Sequence, residues 1–138
     1  MRIVVLDNDR SQTDLISQVL TSAGHVCHAF QTGKELLGQL RKDSYDMLIF
    51  DWQVADMGGA ELMRKAREKL NENAPVMFLT TSSGEDDIVS GLDAGADDYM
   101  VKPLRRSEMV ARVQALLRRA FPAQNGAEQL TFGQYVFE

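Results

Sequence analysis

The chain has 138 residues, of which 44% are hydrophobic and 25% are charged, a composition typical of a globular domain and not of a disordered, collagen-like or coiled-coil protein. Its 15 basic and 20 acidic residues give a net charge of −5, so the segment lacks the positive field with which proteins bind nucleic acid or anionic membranes. The single cysteine, Cys27, excludes an internal disulfide, and no apolar run reaches the length of a membrane span. We therefore expect a cytoplasmic protein.

Short apolar runs along the chain predict β-strands that are covered on both faces, because polar and apolar residues do not alternate within them. A further segment, residues 25–30, alternates weakly and suits a strand nearer the edge of a sheet. The continuous runs are Ile3–Leu6, Met47–Phe50, Val76–Leu79 and Tyr99–Val101.

Amphipathic patterns that indicate helices separate these strands. The first helix follows Ser11 and closes at Gly24, and the second begins with a capping box of Thr32 and Glu35. A weaker helix is predicted over residues 84–95, where Gly91 interrupts the pattern. The apolar positions of the stripes are Leu15, Ile16, Val19 and Leu20; Leu36, Leu37 and Leu40; Leu62, Met63, Ala66 and Leu70; and Met109, Val110, Val113, Leu116 and Leu117.

The strict alternation of strand and helix predicts an α/β fold, a doubly wound five-stranded parallel sheet with helices on both faces. This domain covers residues 1–120. Residues 121–129 have the composition of a linker, and residues 130–138 form one more predicted strand with no helix after it. We expect that strand to begin a second, truncated domain.

Reactive side chains follow the predicted strands at the point where each strand ends. Asp7 follows the first strand, Asp51 the third, Thr80 the fourth and Lys102 the fifth. Because ligand sites in open α/β sheets form beyond the carboxyl ends of the strands, these groups should converge in one cleft. Two carboxylates that lie close together favour a hard divalent cation such as Mg²⁺. A carboxylate nucleophile with a hydroxyl and an ammonium group beside it is suited to phosphoryl transfer.

Several stretches stand in the order and spacing of a known family. They are Leu-Ile-Phe-Asp51-Trp, Phe-Leu-Thr80, Gly91-Leu-Asp-Ala-Gly-Ala-Asp-Asp-Tyr99 and Val-Lys102-Pro103. With these motifs the chain resembles the receiver domain of two-component response regulators from Ile3 to about Arg119. The resemblance implies the strand order 2-1-3-4-5 of flavodoxin-like and CheY-like folds.

The resemblance also implies a set of roles. Asp51 would accept a phosphoryl group from a sensor histidine kinase, in the presence of Mg²⁺, without the protein being an enzyme in the usual sense. Lys102 would contact a phosphoryl oxygen, and the peptide bond before Pro103 would be cis. Thr80 and Tyr99 would form a switch pair. The metal ligands would be Asp7, Asn8, Asp51 and the main-chain carbonyl of Gln53.

Two stretches, Gly-Ala-Asp97-Asp98-Tyr99 and Glu108-Met-Val-Ala-Arg112, resemble the winged-helix class of transcription factors, the OmpR/PhoB type. The tail Leu130-Thr-Phe-Gly is similar to the first strand of that class's DNA-binding domain, so DNA contact is expected only through a domain absent from this chain. In that class the face of helix four, strand five and helix five forms a homodimer. The residues expected on this face are Asp97, Asp98, Glu108 and Arg112.

Some positions depart from the family pattern. Asn8 stands where a second acidic metal ligand is usual, which predicts weaker Mg²⁺ binding, and strand alternation points the neighbouring Asp9 away from the site. Ser90 replaces a basic residue of the dimer face. The remaining departures are Ala55 and Gly58 in the loop after Asp51, Thr81, and Leu104 in place of an aromatic residue.

Two other functions compete with a phospho-accepting switch. A pseudo-receiver would use the same fold as a protein-binding or dimerising module that takes no phosphate, and Asn8 favours this alternative. The sequence Asp7-Asn8-Asp9 is similar to the haloacid-dehalogenase phosphatase motif, with Asp7 as nucleophile, but that assignment leaves Asp51 unexplained. Zinc binding by His25, Cys27 and His28 is not expected, because structural zinc takes about four ligands.

Overall fold

A computed structural model describes residues 1–53, 56–81 and 85–122 of the chain. Strands and helices alternate as predicted. Their bounds are β1 Arg2–Leu6, α1 Arg10–Ser22, β2 Val26–Phe30, α2 Gly33–Leu40, β3 Met47–Asp51, α3 Gly59–Arg67, β4 Val76–Thr80, α4 Glu85–Asp93, β5 Asp98–Val101 and α5 Arg106–Ala120. The predicted linker beyond residue 122, the predicted strand at 130–138 and Ala55 lie outside the described residues.

The strands form one five-stranded parallel sheet in the order β2-β1-β3-β4-β5. The predicted fold class and strand order are therefore confirmed, and β2 lies at an edge as its weak alternation suggested. The register pairs Leu6 of β1 with Phe50 of β3, and Asp51 with Leu79 of β4. Thr80 pairs with Val101 of β5. The carboxyl ends of β1, β3, β4 and β5 consequently meet at one edge of the sheet.

The apolar runs are continuous because successive side chains enter two different cores. Val4, Leu48 and Phe78 point to one face and pack beneath α2 and α3, whereas Val5, Ile49 and Met77 point to the other face and pack beneath α1 and α5. Burial of both faces of the central strands is the main driving force for this fold.

Local signals set the ends of the first two helices. Gly24 adopts a φ of +97°, a left-handed conformation that suits glycine just after the end of α1. The hydroxyl of Thr32 accepts the N–H of Glu35 at 3.1 Å at the start of α2, as the capping box predicts.

Helix α4 occupies part of the weakly predicted segment and contains Gly91. A Cβ at that position would lie 2.3 Å from the Phe78 ring. The glycine that weakens the helical pattern therefore allows α4 to approach the sheet closely. None of the helices in the described part of the chain has the length and apolar character that crossing a membrane requires.

Candidate functional site

The core of the site is Lys102, whose ammonium group lies between two carboxylates. Its Nζ donates to Oδ2 of Asp7 at 2.7 Å and to Oδ2 of Asp51 at 3.3 Å. Burial by itself would lower the pKa of Lys102, but the hydrogen bond to Asp7 and the charges of Asp51 and Asp7 outweigh it and raise the pKa. The lysine is therefore held in its charged form as the shared counter-ion of the two carboxylates.

Asp7 is the more buried carboxylate, with 2% of the residue exposed. Its position follows from β1, which ends at Leu6 in the centre of the sheet. Oδ1 accepts the backbone N–H of Asp9 at 2.9 Å, while Oδ2 faces Lys102. Both oxygens are thus engaged, and Asp7 is fixed in one orientation.

Asp51 is the last residue of β3 and is only half-buried. Its Oδ1 accepts the backbone N–H of Gln53 at 3.1 Å, and its Oδ2 faces Lys102 through the longer of the two lysine contacts. Asp51 is therefore the more accessible and the less tightly held carboxylate, which are the properties that a nucleophile requires.

The hydrogen-bonded ends of β4 and β5 place the lysine. The N–H of Lys102 donates to the carbonyl of Thr80 at 2.8 Å, and the bond from Lys102 to Pro103 is cis, as the family resemblance implies. The side chain of Thr80 is buried at the same edge of the sheet. The structure therefore brings Asp7, Asp51, Thr80 and Lys102 together at that edge, where the sequence predicted a cleft.

Asn8 and Asp9 differ from the buried Asp7 in their surroundings. Asn8 is exposed. The carboxylate of Asp9 caps α1 by accepting the Ser11 hydroxyl at 2.7 Å and the Ser11 N–H at 3.0 Å. The hydrogen bond from the Ser11 hydroxyl is the largest cause of the lowered pKa of Asp9. Because its carboxylate serves the helix, Asp9 does not replace the acidic group that Asn8 lacks.

The chemistry of the donor set fits a hard divalent cation with few protein ligands. The carboxylates of Asp7 and Asp51 already converge on one cation, the ammonium of Lys102, and Mg²⁺ commonly takes one or two carboxylates and completes its shell with water. Within residues 1–53, 56–81 and 85–122, no group of three or more His, Cys, Asp or Glu side chains is placed to hold a metal. The site thus offers two carboxylates, and Asn8 follows one of them, Asp7, in sequence.

The aromatic residues next to the site form a row across the sheet. Trp52 follows Asp51 and packs on Phe78 with ring centroids 5.2 Å apart, and Phe78 stacks on Tyr99 at 5.7 Å. Tyr99 is half-buried. Tyr99, the predicted switch residue, is therefore linked through packed rings to the end of β3, where Asp51 lies.

The residues predicted for a dimer face separate into two groups. Arg112 binds both oxygens of Asp98 at 3.0 Å and Oε2 of Glu108 at 3.1 Å within the same chain. Asp97 contacts a different set of residues. Its Oδ2 accepts the N–H of Val76 at 2.8 Å and a guanidinium N–H of Arg67 at 3.1 Å. Asp97 thus ties the start of β4 to the end of α3.

One carboxylate, five residues after Asp51 in the chain, makes a contact that no sequence pattern predicts. Asp56, in the loop after β3, accepts the backbone N–H groups of Gly33 and Lys34 at the start of α2. Neither a motif nor a periodicity relates these positions, which lie 22 and 23 residues apart in the chain.

The chain was compared with known proteins. A family model described as the response regulator receiver domain matches residues 3–114. The transcriptional regulatory protein PcoR of Escherichia coli is 37% identical over 119 residues, which are 86% of this chain and 52% of PcoR. The response regulator MprA of Mycobacterium avium is 36% identical over an alignment of 140 positions that covers 100% of this chain and 60% of MprA.

A solved structure is also similar. The crystal structure of a two-component response regulator from Clostridium difficile superposes with a TM-score of 0.81 at 26% identity and covers 86% of this chain and 97% of that one. The chain spans between half and about three-fifths of the length of the two curated relatives, PcoR and MprA.

Proposed function

Because the chain belongs to the response regulator receiver domain family, and its relatives are of the OmpR/PhoB type, we propose that it is a phospho-accepting switch that takes a phosphoryl group from a sensor histidine kinase on Asp51. The observation that carries the proposal is the position of Lys102 between Asp7 and Asp51. The site therefore holds an accessible carboxylate, Asp51, beside a cation, Lys102, which is the arrangement that phosphoryl transfer uses.

In the proposed reaction an oxygen of Asp51 attacks phosphorus, and the bond from phosphorus to the histidine nitrogen of the donor breaks. The product is an acyl phosphate on Asp51 and a free imidazole on the donor. Lys102 loses its 3.3 Å contact with Asp51 and keeps its 2.7 Å contact with Asp7, so its ammonium can neutralise a phosphoryl oxygen. The hydroxyl of Thr80 donates to a second oxygen.

The residues that would hold Mg²⁺ are Asp7, Asn8, Asp51 and the main-chain carbonyl of Gln53. When bound, the ion neutralises charge on the phosphoryl oxygens. Asn8 removes one negative charge, and a charge about 4 Å from a divalent ion contributes roughly 2 kcal/mol even at the dielectric constant of water. We therefore propose that Mg²⁺ binds more weakly here than at a site with an acid in that position.

The acceptor is tested by incubating the protein with acetyl phosphate and Mg²⁺ and measuring its intact mass. We expect the mass increase of one phosphoryl group, stable in acid and labile in base, that disappears in Asp51→Ala. Labelling that persists in this variant and maps to Asp7 would support the phosphatase alternative. That alternative is disfavoured by the burial of Asp7 and by the engagement of both its oxygens.

A pseudo-receiver is the second candidate function. It is favoured by Asn8, which leaves the site with two carboxylates and one negative charge fewer to attract a metal. In such a protein the fold would bind or pair with other proteins without phosphate. Complete absence of labelling in the wild-type chain, under conditions that label a control receiver, identifies this function.

The weakened metal site makes a separate prediction. Asn8→Asp restores a carboxylate to the site, so we expect it to bind Mg²⁺ about tenfold or more tightly than the wild type, which corresponds to roughly 1.4 to 2 kcal/mol. Titration of Mg²⁺ against the fluorescence of Trp52, the residue after Asp51, measures both affinities. Equal affinities in the two proteins would show that position 8 does not limit metal binding.

The proposed output is a change at the face of α4, β5 and α5, in which Thr80 moves toward the phosphoryl group and Tyr99 turns inward. This change would control a homodimer and, through a winged-helix domain that follows the receiver, binding to DNA and transcription in the cytoplasm. The proposal is supported by the OmpR/PhoB-type relatives, one of which is named a transcriptional regulatory protein. Sedimentation equilibrium before and after acetyl phosphate tests the dimer, and an unchanged monomer contradicts it.

The charged residues of this face bear on the dimer. Asp98, Glu108 and Arg112 pair within one chain, so an intermolecular contact by Arg112 would have to replace an existing one. Ser90, which stands where the family has a basic residue, is exposed and offers no charge. We therefore propose that apolar residues of this face, rather than ion pairs, contribute most of the dimer energy. Exposed apolar side chains there are Val89, Leu92 and Val101.

A further inference from the structure

Asp56 joins the loop that follows the acceptor strand to helix α2. Its Oδ1 accepts the N–H of Gly33 at 2.8 Å, and its Oδ2 accepts the N–H of Lys34 at 3.1 Å. These N–H groups belong to the first turn of α2, where no intrahelical acceptor exists. The helix also has its own cap, since the hydroxyl of Thr32 accepts the N–H of Glu35. Asp56 therefore acts between two elements, whereas Thr32 acts within one.

A second contact supports the same attachment. The side chain of Met57 lies against the backbone of Gly33, where an added Cβ would approach Met57 Cε to 2.9 Å. The hydrogen bond from the Gly33 N–H is the largest cause of the lowered pKa of Asp56, so its carboxylate stays ionised at neutral pH. Together the carboxylate and the Met57 side chain hold this loop against the start of α2.

The same loop also orients the acceptor. Gln53 donates its backbone N–H to Oδ1 of Asp51 at 3.1 Å, while Oδ2 faces Lys102. The direction of the acceptor carboxylate thus depends on the backbone path just after β3. A fixed point at Asp56, three residues after Gln53, restricts the conformations that the Gln53 backbone can adopt.

We propose that Asp56 is a positioning residue for phosphoryl transfer to Asp51, which acts by tethering the loop to α2 and so keeping the Gln53 N–H against the acceptor carboxylate. The inference rests on the proposed function of Asp51. Asp56 itself touches none of the reacting atoms. Its effect is on the geometry of the nucleophile, where small displacements have large consequences for rate.

The test uses the 138-residue chain and compares Asp56→Ala with Thr32→Ala, a matched control that removes the local cap of the same helix. The rate of labelling by acetyl phosphate is measured as a function of its concentration. We expect Asp56→Ala to lower the maximal rate about tenfold and to leave the half-saturating concentration within about twofold of wild type. Thr32→Ala should label at the wild-type rate, and Asp56→Asn, which keeps one acceptor oxygen, should lie between.

Amide hydrogen exchange at Gln53 provides a measurement that is independent of labelling. We expect exchange about tenfold faster in Asp56→Ala and unchanged in Thr32→Ala. Wild-type labelling in Asp56→Ala, or equal losses in the two variants, overturns the positioning role. If the wild-type chain takes no label, the proposed function fails, and the exchange data still decide the tether: unchanged exchange at Gln53 in Asp56→Ala overturns it.

Discussion

Two ion clusters, each with one cation between two carboxylates, lie at the two ends of β5. Lys102 binds Asp7 and Asp51 just after the strand, with side-chain exposures of 14%, 1% and 13%. Arg112 binds Asp98 and Glu108 near its start, with exposures of 40%, 23% and 41%. The two clusters carry the same charges, but the side chains around Arg112 are much more exposed to water than those around Lys102.

This difference determines what each cluster can do. Water screens the charges around Arg112, so that pairing there contributes little and its loss leaves solvated groups. The charges around Lys102 have few water contacts, so that loss of the lysine would leave two carboxylates close together without a counter-ion. Strong fields in a confined site are what phosphoryl transfer requires, and a solvated face is better suited to reversible contacts between proteins.

The largest expected effect on stability comes from removing the buried cation. We predict that Lys102→Met lowers the free energy of unfolding by about 2 kcal/mol, less than for a fully buried pair because Asp51 still reaches water. The matched variant Arg112→Met removes a cation of the same charge from the exposed cluster and should cost about 0.5 kcal/mol. Urea denaturation of both variants measures the difference, and equal losses would show that burial does not distinguish the clusters.

A smaller effect is expected from raising the pH. The pKa of Lys102 is raised above its ordinary value of 10.5 because its bonds and charges with the two aspartates outweigh burial. The folded state therefore keeps this proton after the unfolded state has lost it. The stabilisation is fully present below 10.5 and declines as the pH rises through the folded value.

The measurement is the difference in unfolding free energy between wild type and Lys102→Met, followed from about pH 9 to about pH 11. We expect this difference in unfolding free energy to become smaller as the pH rises, because Lys102 of the folded wild type loses its proton. The contributions of other titrating groups cancel in the difference. The difference between wild type and Arg112→Met should stay constant, because the hydrogen bond that Arg112 donates to Asp98 raises the already high pKa of Arg112. A constant difference for Lys102→Met would contradict its role as the retained counter-ion.

Much of this arrangement could be predicted without coordinates. The apolar runs that lack alternation predicted central parallel strands, because a strand covered on both faces has no polar side to display. Asp7, Asp51, Thr80 and Lys102 each follow a strand, and parallel strands bring such residues to one edge. The site is therefore a consequence of topology, which the alternation of strand and helix reveals.

Other contacts could not be predicted, because they join surface groups whose separation in the chain carries no pattern. Asp97 was expected beside Asp98 on one face, yet its carboxylate binds Arg67 and the Val76 N–H. Adjacent residues at the start of a strand point in different directions, so neighbours in sequence enter different networks. Asp56 and Gly33 meet only because the loop after β3 folds beside α2.

Periodicity and strand direction are local properties of the chain, so they predict which residues form strands and helices and which polar groups stand at the strand ends. The folded structure was needed to establish that Lys102 lies closer to Asp7 than to Asp51 and that Asp56 reaches α2. Such choices depend on distances of a few tenths of an ångström between groups brought together by packing, and no local pattern encodes them.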